Sequence, residues 1–288
     1  MTTLAHLSDL HFGRLHREVG EELLSELHRA QPDLIVVSGD LTQRARRREF
    51  LEARSYLERL PRPPVVVPGN HDLPNWNLFR RFSHSTHRFR RYIEPQRFPF
   101  QERGEIAVLG VNTTRPFGWY WDWGRGRISL RQILQIRETF LPLPRSRLKV
   151  VVTHHPFLRP PQEERRHLVL GPRGVLRLLA ECGVDLLLAG HFHKIHSDVA
   201  VTRCPDAPGI VVAQTSTSTS HRTRAEPNAY NWFEYQAGSL RVVVHAWQDR
   251  SFQPLSETVY EKAAGSWTRL GEPAVWNGAC SSHPRNEH

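Results

Sequence analysis

Short aliphatic runs alternate with amphipathic stretches through the first two thirds of the chain, and few architectures accommodate that rhythm. Runs rich in Val, Leu and Ile occupy residues 3–9, 33–40, 64–70, 105–112, 148–155 and 184–191. Continuous apolar runs of this length suit strands covered on both faces. Between them, residues 17–30, 44–60, 129–141 and 173–182 carry apolar side chains at helical spacing, such as Leu23, Leu24 and Leu27, or Phe50, Leu51, Tyr56 and Leu57. The pattern predicts a layered α/β domain and excludes an all-β barrel or a helical bundle. After about residue 198 the helical stretches stop, and residues 209–217, 230–236 and 238–247 read as consecutive antiparallel strands with a turn at Ala237-Gly238. Residues 76–104 interrupt the alternation as an inserted cap would, with Trp76, Phe79, Phe82, Phe89 and Tyr92 spaced among arginines. Residues 1–260 form one domain without repeat or linker, and 261–288, rich in Gly, Pro, Ser and charge without a period, are expected as a loosely ordered tail.

A chain of 288 residues is long enough for one large core or two modest ones. Its mean hydropathy of −0.50 is that of a soluble globular protein. No run approaches the roughly 18 apolar residues a membrane helix needs, so no transmembrane segment is expected. The N-terminus turns polar too soon for a secretory leader, and a cytoplasmic location is the default. The net charge of +10 rests almost wholly on arginine, a compositional bias that does not by itself require a nucleic-acid partner. Three cysteines, Cys182, Cys204 and Cys280, are too few and scattered for a disulfide framework or a metal knuckle. The 17 histidines are the unusual count, and their placement decides whether the excess is chemical.

Several of the strand-like runs end in a metal-binding side chain. Asp9 and His11 follow the first, Asp40 the second, Asn70 the third, His154 the fifth, and His191 with His193 the sixth. Open α/β sheets bind ligands beyond the carboxyl ends of their strands, so topology alone brings these seven side chains to one edge. Carboxylate, imidazole and one amide carbonyl without thiolate suit Mn, Fe, Zn, Ni or Co. Seven donors exceed one tetrahedral site, whereas two divalent ions sharing a carboxylate would use them all. Gly39, Gly69 and Gly190 each precede a ligand where the chain must turn sharply, and Pro156 stops the strand that carries His154. Any one of these residues has a plain structural explanation as a cap or a loop side chain, but seven such coincidences are required at once.

Together the motifs resemble the calcineurin-like metallophosphoesterase family, whose signatures are D-x-H, G-D, G-N-H-[DE], H-x-P and G-H-x-H. Here they read Asp9-Leu10-His11, Gly39-Asp40, Gly69-Asn70-His71-Asp72, His154-His155-Pro156 and Gly190-His191-Phe192-His193. One such motif is nearly meaningless, but five in order are specific. Within the family the chain is most similar to bacterial members that include the class III cyclic-nucleotide phosphodiesterases. The resemblance implies a four-layer α/β/β/α sandwich, mixed sheets inside and helices on the outer faces. It implies Asp9, His11 and His193 on a first ion, Asn70, His154 and His191 on a second, and Asp40 bridging them. His71 would contact the phosphate and assist the leaving oxygen, with Asp72 orienting it. The implied reaction is in-line hydrolysis of a phosphodiester by a hydroxide bridging the two ions, with a 3′,5′-cyclic nucleotide as the leading substrate. A phosphomonoesterase, a nuclease or a lipid-linked pyrophosphatase would share the site, and a non-catalytic scaffold would share the fold.

Other residues divide between chemistry and structure. Asn112 and Arg222 are expected to meet the substrate, Asn112 from the end of the fourth run and Arg222 from the polar stretch that follows Ser216 to Ser220. The hydroxyls of that stretch would either face a phosphate or serve a polar loop. His155 and His196 lie beside ligand positions without matching one, and either a substrate contact or packing would account for them. The cluster Arg44, Arg46, Arg47 and Arg48 would steer anions toward the metal edge. The expected partner is a small anionic phosphate ester, with no obligatory nucleic acid, and the oligomeric state is open.

Overall fold

The computed structural model describes residues 1–74, 81, 84–115, 124–160, 168–200, 209–223 and 226–275. Thirteen strands among the described residues assort into two mixed sheets. The first, with seven strands, contains β1 (Thr2–Leu7), β2 (Leu34–Val37), β3 (Val65–Val66), β10 (Ala229–Gln236), β11 (Ser239–Gln248), β12 (Ser251–Ala263) and β13 (Ser266–Val275). The second, with six, contains β4 (Phe100–Arg103), β5 (Ile106–Gly110), β6 (Leu148–Val152), β7 (Leu186–Ala189), β8 (His196–Val199) and β9 (Val211–Gln214). Strands β1, β2 and β3 run parallel, as do β5, β6, β7 and β9, so each sheet has a parallel half. All of these but β9 are the aliphatic runs, and apart from Thr3 in β1 the seven strands are buried along their length.

One apolar core lies between the sheets, where Leu4, Val36 and Phe233 of the first meet Val108, Val150 and Leu188 of the second. Helices α1 (Arg17–Ala30) and α2 (Arg47–Leu57) cover the outer face of the first sheet through Leu23, Leu27, Phe50 and Tyr56. After α3 (His87–Tyr92), helices α4 (Leu130–Phe140) and α5 (Pro172–Glu181) cover the second through Ile136, Phe140, Leu176 and Leu179. The expected α/β/β/α layering is the observed one. Helix α4 starts where a capping box dictates: the Ser129 main-chain N–H donates to Gln132 Oε1 at 2.9 Å, and the Gln132 N–H donates to Ser129 Oγ at 3.4 Å.

Two expectations are corrected. Residues 211–214 do not continue into β10; they pair in parallel with β7 inside the second sheet, where all four side chains are buried. Residues 261–275 are not a loose tail, because Lys262 belongs to β12 and β13 pairs antiparallel with it. The turn between them uses Ala264 and Gly265 at φ 50° and 83°, the left-handed pair that matches hairpin twist. Trp267 sits in the inter-sheet core with its indole N–H donating to Asp185 Oδ1 at 3.1 Å. Residues 276–288 fall outside the described residues, as do Trp76, Phe79 and Phe82 of the insert. In its described part the insert lies on the domain: Phe89 is buried in the α1/α2 layer and Tyr92 stacks on Phe50 at 6.3 Å. Strand β4, also within it, pairs antiparallel with β5. No helix among the described residues is long and apolar enough to cross a membrane.

Candidate metal centre

The carboxyl ends of the two parallel halves meet at one seam, and the chain turns sharply there. Asp9, His11, Asp40, His191 and His193 all adopt positive φ, between 49° and 72°. Non-glycine residues enter this region at a cost, and only a surrounding structure that over-determines them holds them in it. Main-chain bonds across the seam do so: Asp9 N–H donates to Gly39 O and His11 N–H to Asp40 O, each at 3.0 Å, while His191 N–H donates to Asp9 Oδ2 at 3.1 Å. At Gly190 an added Cβ would fall on Ser8 Oγ and the Asp9 carboxylate, and at Gly69 on the Asp40 carboxylate, so close approach requires glycine at both.

Two clusters result. A side-chain donor atom from each of Asp9, His11, Asp40 and His193 lies within 4.8 Å of the others, and His154, His155 and His191 form a second such group. His193 Nε2 is 3.1 Å from Asp9 Oδ1 and 3.4 Å from His11 Nε2. His154 Nε2 is 3.2 Å from His191 Nδ1 and 3.1 Å from Asn70 Oδ1. Asp40 Oδ2 lies between the groups, 3.9 Å from His11 Nε2 and 3.4 Å from His154 Nε2. All seven expected donors are therefore brought together, and His155 joins them.

The hydrogen-bond inventory shows what such a cluster lacks. His154 Nδ1 donates to the Ser38 carbonyl and His193 Nδ1 to the Arg222 carbonyl, each at 2.8 Å, and since a carbonyl only accepts, each ring's lone pair sits on Nε2. Those lone pairs face carboxylate oxygens, other imidazole nitrogens and the Asn70 amide oxygen. Asp9 Oδ1 is buried without a hydrogen bond. Converging buried lone pairs are costly unless a cation or a proton joins them, and a carbonyl on the far ring nitrogen is the usual orienting partner of a metal-binding histidine. The donor set fits a divalent ion on the structure's own terms.

Charge in the protein alone follows the same logic. Burial opposes ionisation of Asp9 and Asp40, but adjacent imidazoles outweigh it and hold both carboxyls below the ordinary range. Burial also opposes a charge on His154, yet Asp40 and Asp9 prevail and raise it to about 9, so a proton takes the place a cation would hold. His11 and His191 are pushed down to about 3, chiefly by burial.

His71 and Asp72 sit on the single turn after Gly69. The His71 main-chain N–H donates to Asp40 Oδ1 at 2.8 Å, and its ring Nδ1 donates to Gln43 O at 2.9 Å. Asp72 does not orient the ring as expected. Its carboxylate accepts from Gly69 N, Leu41 N, Thr42 N and Thr42 Oγ1, tying the Asp40 loop to the Asn70 turn, and the Gln43 carbonyl takes the orienting part. Burial and the nearby Asp40 charge lift Asp72 to about 7 against those bonds.

Of the expected substrate contacts, Arg222 lies at the centre: its Nη1 is 3.1 Å from His71 Nε2. Asn112 Oδ1 accepts from Thr114 N–H at 2.8 Å and closes a local turn. The hydroxyls of 216–220 are buried and bond main-chain groups, with Thr217 Oγ1 donating to Asp9 O at 2.5 Å and Thr219 Oγ1 to Leu10 O at 3.2 Å. They buttress the Asp9–His11 loop and present nothing to solvent.

A four-layer α/β sandwich with a carboxylate, imidazole and amide cluster at its seam is the architecture of a metal-dependent phosphoesterase. The chain belongs to the calcineurin-like phosphoesterase family, whose model matches residues 2–195. It is 39% identical over 80 residues to a glycerophosphodiester phosphodiesterase GpdQ from Enterobacter lignolyticus, a match spanning 24% of this chain and only 29% of that protein. A probable glycerophosphodiester phosphodiesterase GpdQ from Arcobacter nitrofigilis is 23% identical over 227 residues, covering 76% of this chain and 75% of that one. Among solved structures, the purple acid phosphatase PPD1 of yellow lupin superposes with a TM-score of 0.62 at 11% identity, over 88% of this chain and 52% of that chain. A dimetal phosphatase from Danio rerio gives 0.59 at 12% identity, over 88% and 98%. At such identities these two neighbours speak to the fold alone.

Proposed function

We propose that the protein hydrolyses a small phosphodiester with two divalent cations held at the seam. The observation that carries this reading is Asp40 Oδ2, which lies between the two donor groups and within 3.9 Å of a ring nitrogen from each. Asp9, His11 and His193 would complete the first position, and Asn70, His154 and His191 the second. Mn, Fe, Co, Ni and Zn all suit the donors. When bound, such a pair supplies charge neutralisation for the phosphate and a water acidic enough to attack it near neutral pH.

The chain's own groups do the rest. Ser38 O and Arg222 O hold the His154 and His193 lone pairs toward the seam. Gln43 O fixes the His71 ring with Nε2 toward the Arg222 guanidinium, so the two side chains flank the position where a phosphate and its leaving oxygen would lie. Arg222 would meet a phosphate oxygen with a charge-assisted hydrogen bond, and His71, when protonated on Nε2 as well as Nδ1, would give the Nε2 proton to the departing alkoxide. The exposed arginines 44, 46, 47 and 48 bias the approach of anions.

The names of the two relatives favour a glycerophosphodiester as the first substrate to try, ahead of the 3′,5′-cyclic nucleotide implied by the family resemblance. A turnover panel on metal-reconstituted protein tests this, using glycerophosphodiesters, 3′,5′- and 2′,3′-cyclic nucleotides, oligonucleotides and monoesters. Glycerophosphodiester is expected to give the highest kcat/KM. Preference for monoesters over every diester would overturn the proposal.

A further inference from the structure

Consecutive residues of a strand point to opposite faces, so of two adjacent histidines only one is expected at a given site. Strand β6 ends at Val152, however, and the chain bends through Thr153 before presenting both His154 and His155. Both rings are fully buried. The His155 ring lies 5.0 Å from that of His154 at 82°, and 4.9 Å from that of His191 at 50°, centroid to centroid. One ring nitrogen from each of the three falls within 4.8 Å of the other two.

The two nitrogens of His155 are not equivalent. Nδ1 is 2.8 Å from Thr113 Oγ1, and the same hydroxyl accepts the His155 main-chain N–H at 3.3 Å. Nε2 is buried with no hydrogen-bond partner. The ring is clamped on its other side, since a Cβ at residue 126 would stand 2.5 Å from His155 Cβ, so only glycine fits there. A buried imidazole nitrogen without a partner costs free energy unless something binds it. The His155 ring sits beside those of His154 and His191, and three neutral imidazoles around one position are a recurrent cage for a divalent ion.

We infer that His155 is a further donor, through Nε2, to the second cation position, with Thr113 accepting from Nδ1 and fixing the tautomer. The inference rests on the proposed reading of the seam as a two-cation site. It separates this chain from a ligand set of Asn70, His154, His191 and Asp40 alone at that position.

Metal-stripped protein titrated with Mn²⁺ and Co²⁺, followed by calorimetry, elemental analysis and the visible Co²⁺ spectrum, tests it. Wild type is expected to bind two ions. His155→Ala is expected to hold the first as wild type does and the second at least about tenfold more weakly, with a changed Co²⁺ band for that site. Thr113→Val, which leaves the ring in place, is expected to weaken the second ion in the same direction. Should His155→Ala fail to fold by circular dichroism, His155→Gln carries the test. Second-ion affinity within twofold of wild type and an unchanged spectrum would overturn the inference while leaving the two-cation reading intact. A loss confined to substrate affinity would assign the ring to substrate and overturn it equally. Wild type binding fewer than two ions would remove the underlying reading, and the inference with it.

Discussion

Asp40 is the residue on which both halves of the centre depend, because one of its oxygens faces His11 and His154 while the other accepts the His71 main-chain N–H. Asp40→Ala is expected to lose both ions in elemental analysis and to lower diester turnover by several orders of magnitude. Arg222 does two separable things: its carbonyl orients His193 and its guanidinium faces His71. Arg222→Ala keeps the carbonyl, so bound metal should be unchanged, while kcat/KM falls about 10- to 100-fold, the worth of one lost charge-assisted hydrogen bond. Metal loss in that variant would contradict the separation. The buried imidazoles predict a pH signature for EDTA-treated protein. His154, raised from the ordinary 6.5 to about 9, contributes stability that is fully present below 6.5 and lost as pH rises through 9. His6, His11 and His191, pushed down to about 3, act oppositely: the unfolded chain takes up their protons first, so stability falls as pH drops from 6.5 toward 3. Its melting temperature should therefore decline on both sides of about pH 6.5, and cation loading should flatten the alkaline limb, because a bound His154 carries no titrating proton on Nε2.

At the scale of elements, the segment after β9 is the clearest example of polar chemistry used for architecture. Thr217 Oγ1 donates to Asp9 O, Ser8 N–H donates to Ser218 Oγ, and Asn228 Nδ2 donates to Thr217 O and Ser220 O, all in the interior. Thr217→Val should leave the Asp9 carbonyl unsatisfied and cost about 1–3 kcal/mol in urea denaturation, with weakened metal binding as a consequence. A neutral effect on both would show that the loop is held by other means. The strands bearing the donors were legible because each couples an aliphatic run to a terminal Asp, Asn or His, and runs buried on both faces carry that pattern plainly. Residues 211–214 were not, since a buried run reads alike in either sheet and only pairing with β7 assigns it. Strands β12 and β13 were partly hidden because their outward faces are charged and their hairpin turn, Ala264-Gly265, resembles the punctuation of a tail. His155 was ambiguous for a related reason: strand alternation favours one histidine of the pair, and the bend at Thr153 that admits both has no periodic signature.

The whole molecule is a device for bringing two parallel sheet edges together with few polar groups left over. Seven donors spread over 185 residues of sequence meet because β1, β2, β3, β6 and β7 all deliver their carboxyl ends to one seam. That convergence was legible from topology before any coordinate. The pairings that tune it, such as Arg222 with His71 and the Asp72 ties to the Asp40 loop, depend on loops whose paths periodicity does not record. At this scale the net charge of +10 would favour the approach of the proposed anionic substrate to a centre whose own carboxylates are negative. The measurement that tests the central claim most directly is hydrolysis of bis(4-nitrophenyl) phosphate by EDTA-stripped protein as Mn²⁺ is added back. The expected result is no turnover without cation and a rise to a plateau at two bound ions per chain. Full turnover in EDTA, or none at any loading with Mn²⁺, Co²⁺, Ni²⁺ or Fe²⁺, would contradict it.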